Sequence, residues 1–87
     1  MSKYTVLFHK NTEKELRKIP NKDRIKVFEK IDELAEDPFI QGHIKLSGYD
    51  DLYRVRQGNY RIIYTVENGE LKIHVIKVQH RKDVYRK

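Results

Sequence analysis

The 87-residue sequence contains no cysteine. A disulfide framework and a thiolate metal site are both excluded, and a reducing compartment suits the chain. No apolar run approaches the roughly 18 residues that a membrane span needs, and the opening Met-Ser-Lys-Tyr-Thr-Val lacks the apolar region of a signal peptide. The expectation is a soluble, cytoplasmic protein that makes no membrane contact. The 4 histidines are scattered without metal-ligand spacing, so no metal and no other cofactor is expected. Residues 1–87 form one small domain, able to bury about 60 to 65% of its unfolded surface.

Acidic residues run short in the second half. Residues 1–42 hold 9 Lys/Arg against 8 Asp/Glu, whereas residues 43–87 hold 10 against 5, so that +5 of the total +6 lies there. Such an excess concentrates polyanions and gives salt-dependent binding to phosphates. An anionic partner explains it better than solubility alone.

The basic half is organised around residues 53–66, two alternating runs joined by Gly58-Asn59. Gly takes φ > 0 without a Cβ penalty, which suits the first central position of a two-residue type II′ hairpin. That loop sets Gln57 opposite Tyr60, Arg56 opposite Arg61, Val55 opposite Ile62, Arg54 opposite Ile63 and Tyr53 opposite Tyr64. By alternation, Tyr53, Val55, Tyr60, Ile62, Tyr64 and Val66 share a core face, and Arg54, Arg56, Arg61 and Ile63 share the other. Opposed arginines are destabilising by a few tenths to about 1 kcal/mol. Something anionic is expected there.

Along the rest of the chain, Tyr4 to His9 alternates as a strand. Thr12 with Glu15 reads as a capping box opening a short helix that carries Leu16 and Ile19 inward and stops at Pro20. Asn21 or Asp23 caps a second helix, with Ile25, Phe28, Ile31, Leu34 and Ala35 as its apolar stripe, ended by Asp37-Pro38. Residues 39–49 read as a loop, and Asp50 and Asp51 as turn solvation rather than a carboxylate pair. Asn68-Gly69 signals a type I′ turn into a strand from Glu70 to about Val78. It sets Ile62 opposite Val75, Tyr64 opposite Ile73, Val66 opposite Leu71 and Arg61 opposite Ile76. Lys72, His74, Ile76 and Val78 then lie on the arginine side, with His80 following if the strand persists. Residues 80–87 carry no core signal, and a mobile end is expected.

The fold class is α+β, in the order β-α-α-β-β-β: a four-stranded, mostly antiparallel sheet with two helices on one face. The other face combines Ile63, Ile76 and Val78 with arginines. Such an apolar-basic surface implies a covering partner or the chain's own C-terminal segment.

Arginines clustered on a sheet suit metal-free RNA cleavage. The ribose 2′-hydroxyl attacks its own phosphate, and guanidinium groups orient the phosphate and stabilise the added charge. Arginine is a poor general base, which leaves His80, His74 or Tyr85 as titratable candidates. Tyr85 also suits stacking on a base.

The segments Leu46-Ser47-Gly48, Tyr53-Arg54-Val55-Arg56, Asn59-Tyr60-Arg61-Ile62-Ile63-Tyr64 and the run from Val75 to Tyr85 resemble the RelE/ParE toxin superfamily over essentially the whole chain. The closing basic pair followed by Val84-Tyr85 resembles its RelE branch. That resemblance implies a ribosome-dependent messenger RNA endoribonuclease, an mRNA interferase, that inhibits translation, contacts ribosomal RNA and is held inactive by a RelB-like antitoxin in a hetero-oligomer. It assigns Arg54, Arg56, Arg61, Arg81 and Tyr85 as catalytic, and those five with His80 and Lys82 as RNA-binding. In the family a lysine at one of the first two positions serves as base and the Arg81 equivalent as acid. Arginine at both Arg54 and Arg56 leaves the base to a neighbour such as His80, or leaves the site to work by orientation and charge. A ParE-like topoisomerase poison and a non-catalytic RNA- or partner-binding module are the alternatives.

Overall fold

A computed structural model describes residues 3–46 and 51–84, without the side chains of Asp83 and Val84. The elements run β1 (Thr5–Phe8), α1 (Lys10–Arg17), α2 (Asn21–Glu36), β2 (Ile44–Lys45), β3 (Leu52–Gln57), β4 (Tyr60–Glu67), β5 (Lys72–His80) and α3 (Arg81–Val84). The α+β architecture is as read from the sequence. Its sheet has five strands rather than four, in the order β1-β5-β4-β3-β2. Among the described residues, only β1 and β5 pair in parallel. The added strand is β2, two residues long and too short to show alternation; pairing with Tyr53 and Arg54 defines it.

The first hairpin has the register that a Gly58-Asn59 loop demands, with Arg56 directly opposite Arg61. Gly58 takes φ +60°, the left-handed value that glycine reaches without strain. Val55, Ile62, Tyr64 and Val66 are buried against Leu16, Ile19, Val27, Ile31 and Leu34 of the helical layer, and Tyr53 and Tyr60 pack at the margin. Burial pushes the Tyr64 hydroxyl up beyond the ordinary phenol range, reinforced by Tyr53 and Asp37. Its proton is held instead by the Pro38 carbonyl oxygen at 2.5 Å.

The second hairpin departs from expectation. Glu67 pairs with Lys72, so the loop spans residues 68–71 and the β5 partners nearest the turn are displaced by two: Val66 meets Ile73 and Tyr64 meets Val75. The reason is that the loop ties down β1. Asn68 Oδ1 accepts from the Tyr4 hydroxyl at 2.9 Å, and the Leu71 carbonyl accepts the Thr5 amide at 2.8 Å. Leu71 rather than Gly69 takes the positive φ, +53°, at a strain of about 1–2 kcal/mol.

A β-bulge then reverses the parity of β5. Ile63 pairs with Lys77, leaving Ile76 as the extra residue. Val78 consequently turns into the core at 4% exposure, and His80 lies opposite Tyr60 on the helix side. Arg61 faces Gln79 instead of Ile76. The open face thus keeps Ile63, His74 and Ile76 but not Val78 or His80.

Helix α1 holds this bulge. β1 ends at Phe8, and beyond it α1 satisfies the exposed edge of β5. The Thr12 hydroxyl is shared between the Val75 and Ile76 carbonyls at 3.1 and 2.5 Å, and Glu15 Oε1 accepts the Val78 amide at 3.1 Å. Thr12 and Glu15 are therefore not a capping box. The N-cap is His9, whose Nδ1 accepts from the Asn11 amide at 3.4 Å.

Helix α2 opens at Pro20 without a side-chain cap; Asn21 instead accepts from the Arg24 guanidinium. Its buried stripe is Val27, Ile31, Leu34 and Ala35, while Ile25 is 62% exposed and Phe28 39%. At 3.6 residues per turn Ile25 lies about 135° from the centre of that stripe, so it cannot share the face assigned to it from sequence. Phe28, at the margin, meets the Phe8 ring edge-on at 6.2 Å.

Two measurements check these contacts. Thr12→Val should lower stability by about 1–3 kcal/mol, because it leaves a hydroxyl-bonded pair of carbonyls unmet; urea unfolding reads it. Arg56→Gln should raise stability by a few tenths to about 1 kcal/mol by removing the opposed like charge. That gain should shrink as salt is added.

Candidate functional site

The β3–β4 turn, the strand that follows it and the chain leaving β5 meet at one end of the sheet. There the Asn59 carbonyl accepts the Arg81 amide at 2.7 Å. This bond carries the chain from β5 across the turn and starts α3 beside it. The result is a cleft of about 420 Å³ lined by Arg56, Gly58, Asn59, Tyr60, Arg61, Arg81 and Lys82.

Of the residues assigned from sequence, the structure brings Arg56, Arg61, Arg81 and Lys82 into this cleft. Arg54 stands on the same face but lines the adjoining hollow, of about 440 Å³, with Lys30, Gln41, Gly42, Ile44, Val55 and Arg56. Arg56 belongs to both. His74 is at the far end of the β4–β5 pair, 3.7 Å from Glu67. Tyr85, with Ser47, Gly48 and Asp50, lies outside the described residues. Gly58, Asn59 and Tyr60 are the lining residues that the sequence left without a role at the site. Their place beside the turn was the available signal.

His80 is the main correction. Its ring packs edge-on against Tyr60 at 5.1 Å on the helix side, and its Nδ1 accepts the Lys82 amide at 3.1 Å. A ring that accepts at Nδ1 carries its proton at Nε2. Neither nitrogen is left to take a proton from a ribose, and the bulge that moved Val78 inward is what turned the ring away.

The electrostatics of the cleft are one-sided. Among the described residues its lining holds no carboxylate, and Arg56, Arg61, Arg81 and Lys82 make no ion pair. The Arg61 Nε is shut off from solvent and makes no hydrogen bond among the described residues. An orphaned donor of this kind costs on the order of 1–3 kcal/mol, which marks Arg61 as a residue that folding alone would replace. Lys72, by contrast, is paired with Glu70 at 3.1 Å, and holds that carboxyl below the usual carboxylate range by hydrogen bonding and charge.

Arginine, lysine and tyrosine do not normally titrate near neutral pH. The described lining can therefore grip an anion bidentately and stabilise added negative charge, but it offers no ordinary general base. Among the described residues, no group of three His, Cys, Asp or Glu side chains stands close enough to hold a metal ion, and no helix is long and apolar enough to cross a membrane.

Comparison with known proteins gives one family. A model described as the ParE toxin of the type II toxin-antitoxin system parDE matches residues 6–85. The toxin RelG of Mycobacterium tuberculosis is 27% identical over 85 residues, covering 97% of this chain and 98% of that protein. The mRNA interferase toxin RelE of Escherichia coli K12 is 33% identical over 86 residues, covering 94% and 90%. The solved archaeal RelE-RelB complex from Pyrococcus horikoshii OT3 superposes with a TM-score of 0.81 at 34% identity, covering 91% of this chain and 96% of that one. With that similarity running through the strands and helices that build the cleft, the chain belongs to the RelE/ParE family of toxins of type II toxin-antitoxin systems.

Proposed function

We propose that this toxin is an endoribonuclease that cuts messenger RNA on the ribosome and acts in the cytoplasm. The observation that carries the reading is the convergence of Arg56, Arg61, Arg81 and Lys82 on one cleft whose described lining has no carboxylate. The name of the Escherichia coli relative, an mRNA interferase, supports the same chemistry.

In this reading the substrate supplies its own nucleophile, so no metal is needed. The ribose 2′-hydroxyl gives its proton to solvent as its oxygen attacks the adjacent phosphorus, the bond to the 5′-oxygen breaks and that oxygen takes up a proton from solvent, and a 2′,3′-cyclic phosphate remains on the upstream fragment. Arg56 and Arg61 grip the non-bridging oxygens, and Arg81, from α3, neutralises charge on the departing oxygen. Lys82 holds a flanking phosphate, and Arg54 does so from the adjoining hollow. Tyr85 stacks on a neighbouring base. With no ordinary base in the described lining, the rate comes from orientation and charge stabilisation, and the ribosome fixes the geometry of the message through contacts that include ribosomal RNA.

The partner is a RelB-like antitoxin forming a hetero-oligomer with the toxin. Solved relatives from Pyrococcus horikoshii and Mycobacterium tuberculosis are toxin-antitoxin complexes. On this chain Leu7, Ile25 and Phe28 are exposed at 38%, 62% and 39%, apolar surface of the kind a wrapping partner covers. A second reading, a topoisomerase poison, is favoured by the ParE description of the matching family model.

The test is to add the purified toxin to translating ribosomes in limiting magnesium and to isolated messenger in EDTA, then map cut sites and end chemistry. Cyclic phosphate ends that depend on the ribosome support the proposal. Intact message with inhibited supercoiling would establish the topoisomerase reading, and neither effect would leave a binding module. Arg61→Ala and Arg81→Ala should each slow cleavage at least about tenfold, whereas Lys72→Ala, outside the cleft, should not. Equal losses in all three would assign the effect to net charge.

A further inference from the structure

We infer that His80 is a positioning residue for the cleft, a neutral imidazole cap that holds α3 in place and releases it on protonation. The inference deepens the nuclease reading and rests on it only for its activity readout.

The geometry fastens α3 at two points. The Arg81 amide is given to the Asn59 carbonyl at 2.7 Å, and the next amide, that of Lys82, is given to the His80 ring at 3.1 Å. His80 immediately precedes the helical turn Arg81–Val84, the position from which an acceptor side chain satisfies an otherwise unmet amide of the first turn. Histidine is an uncommon choice there. The chain uses it twice, since His9 caps α1 through Nδ1 and the amide two residues on. The Tyr60 ring, set edge-on at 88° to the imidazole, fixes the rotamer that aims Nδ1 at Lys82.

The consequence concerns the two cations that α3 delivers to the cleft. Among the described residues, these two bonds tie the first residues of α3 to the sheet, and so bear on where Arg81 and Lys82 stand. One is a backbone bond indifferent to pH. The other requires a bare Nδ1, because imidazolium carries hydrogen on both nitrogens and has nothing to accept with. Histidine is the side chain whose charge ordinarily changes between pH 5 and 8. Around the ring stand Glu15 and Lys18 of α1, Tyr60 of β4 and Lys77 of β5, with Lys82 on α3. Glu15 is engaged by the Val78 amide. The sign follows: the cap holds while the ring is neutral and is lost as pH falls.

This role differs from the general base in what it tolerates. Asparagine is among the best capping residues but cannot act as a base near neutral pH. His80→Asn should therefore keep ribosome-dependent cleavage within about threefold of the parent at pH 7.5, and His80→Ala should lose roughly fivefold, the usual cost of a lost cap. The parent rate should fall on acidification, because imidazolium cannot accept the Lys82 amide, and the Asn variant should be flatter.

Amide exchange at Lys82, followed by NMR on the toxin alone, reads the cap without any catalysis. Protection should weaken about fivefold in His80→Ala, return in His80→Asn, and in the parent decline with acid beyond the ordinary chemical trend shown by His80→Asn. The parent ring should show its proton on Nε2. A ring proton on Nδ1, or unchanged Lys82 protection in a folded His80→Ala, would overturn the proposal. So would an Asn variant as slow as the Ala variant, which would return His80 to chemistry. Absence of cleavage by the parent would sink the nuclease reading alone, and the exchange measurement would still decide the cap.

Discussion

One inserted residue decides where the second half of this molecule points. Ile76 interrupts the β4–β5 ladder, and the interruption survives because α1 reaches across with Thr12 and Glu15 to take the bonds that a neighbouring strand would otherwise make. Without the bulge, Val78 would face solvent and His80 would stand among the arginines. With it, Val78 joins the core, His80 turns to Tyr60, and the chain leaves β5 across the β3–β4 turn. The position of Arg81 is thus set by contacts on the far side of the sheet. A helix that covers the core here also fixes the parity of a strand.

The cleft itself is a place where the chain spends stability. Arg56 and Arg61 oppose each other across the β3–β4 pair, and no carboxylate relieves either of them among the described residues. Elsewhere on the open face charge is neutralised in the ordinary way, as Lys72 is by Glu70. The contrast within one sheet shows that neutralisation was available, yet among the described residues none is present where the cations converge. The apolar face that underwrites this is the reverse of the same strands: Val55 and Ile62 flank the arginines in sequence and are almost wholly buried, at 2% and 0% exposure.

What can be read from the sequence follows the range of the physical cause. The first hairpin is legible because a two-residue loop with glycine fixes register locally, and every pair from Gln57–Tyr60 to Tyr53–Tyr64 follows from it. Helix ends at Pro20 and Asp37-Pro38 are legible for the same reason. The second turn is not, because Asn68 bonds Tyr4, sixty-four residues away, and a long-range demand replaces the local preference of Asn-Gly. The bulge leaves only a faint trace, a phase slip at Val75-Ile76 where two apolar residues adjoin before Lys77-Val78 resumes the alternation, and a single such pair is also ordinary in an unbroken strand. The Thr12-Glu15 spacing does mark two side chains that satisfy orphaned backbone groups, but those groups are on β5 rather than on their own helix. In the site, Arg56 and Arg61 come from local register, and Arg81 and Lys82 from the family resemblance. Only the structure separates His80 from them.

That separation changes where the chemistry of such a site must come from. A family pattern with lysine in the first hairpin offers a side chain that burial can bring toward neutral pH; arginine at positions 54 and 56 does not. With His80 committed to Lys82, the described cleft holds charge and shape but no ordinary proton acceptor. A catalyst so equipped gains most from a substrate already bent toward in-line attack, where stabilising the developing charge is the main remaining requirement, and least from a flexible free strand. Under the nuclease proposal, dependence on the ribosome would follow from composition as well as from binding. It also suggests how inhibition would work: a partner need not block a base, only occupy or neutralise the cations, and an acidic segment laid across Arg56, Arg61 and Arg81 would do both.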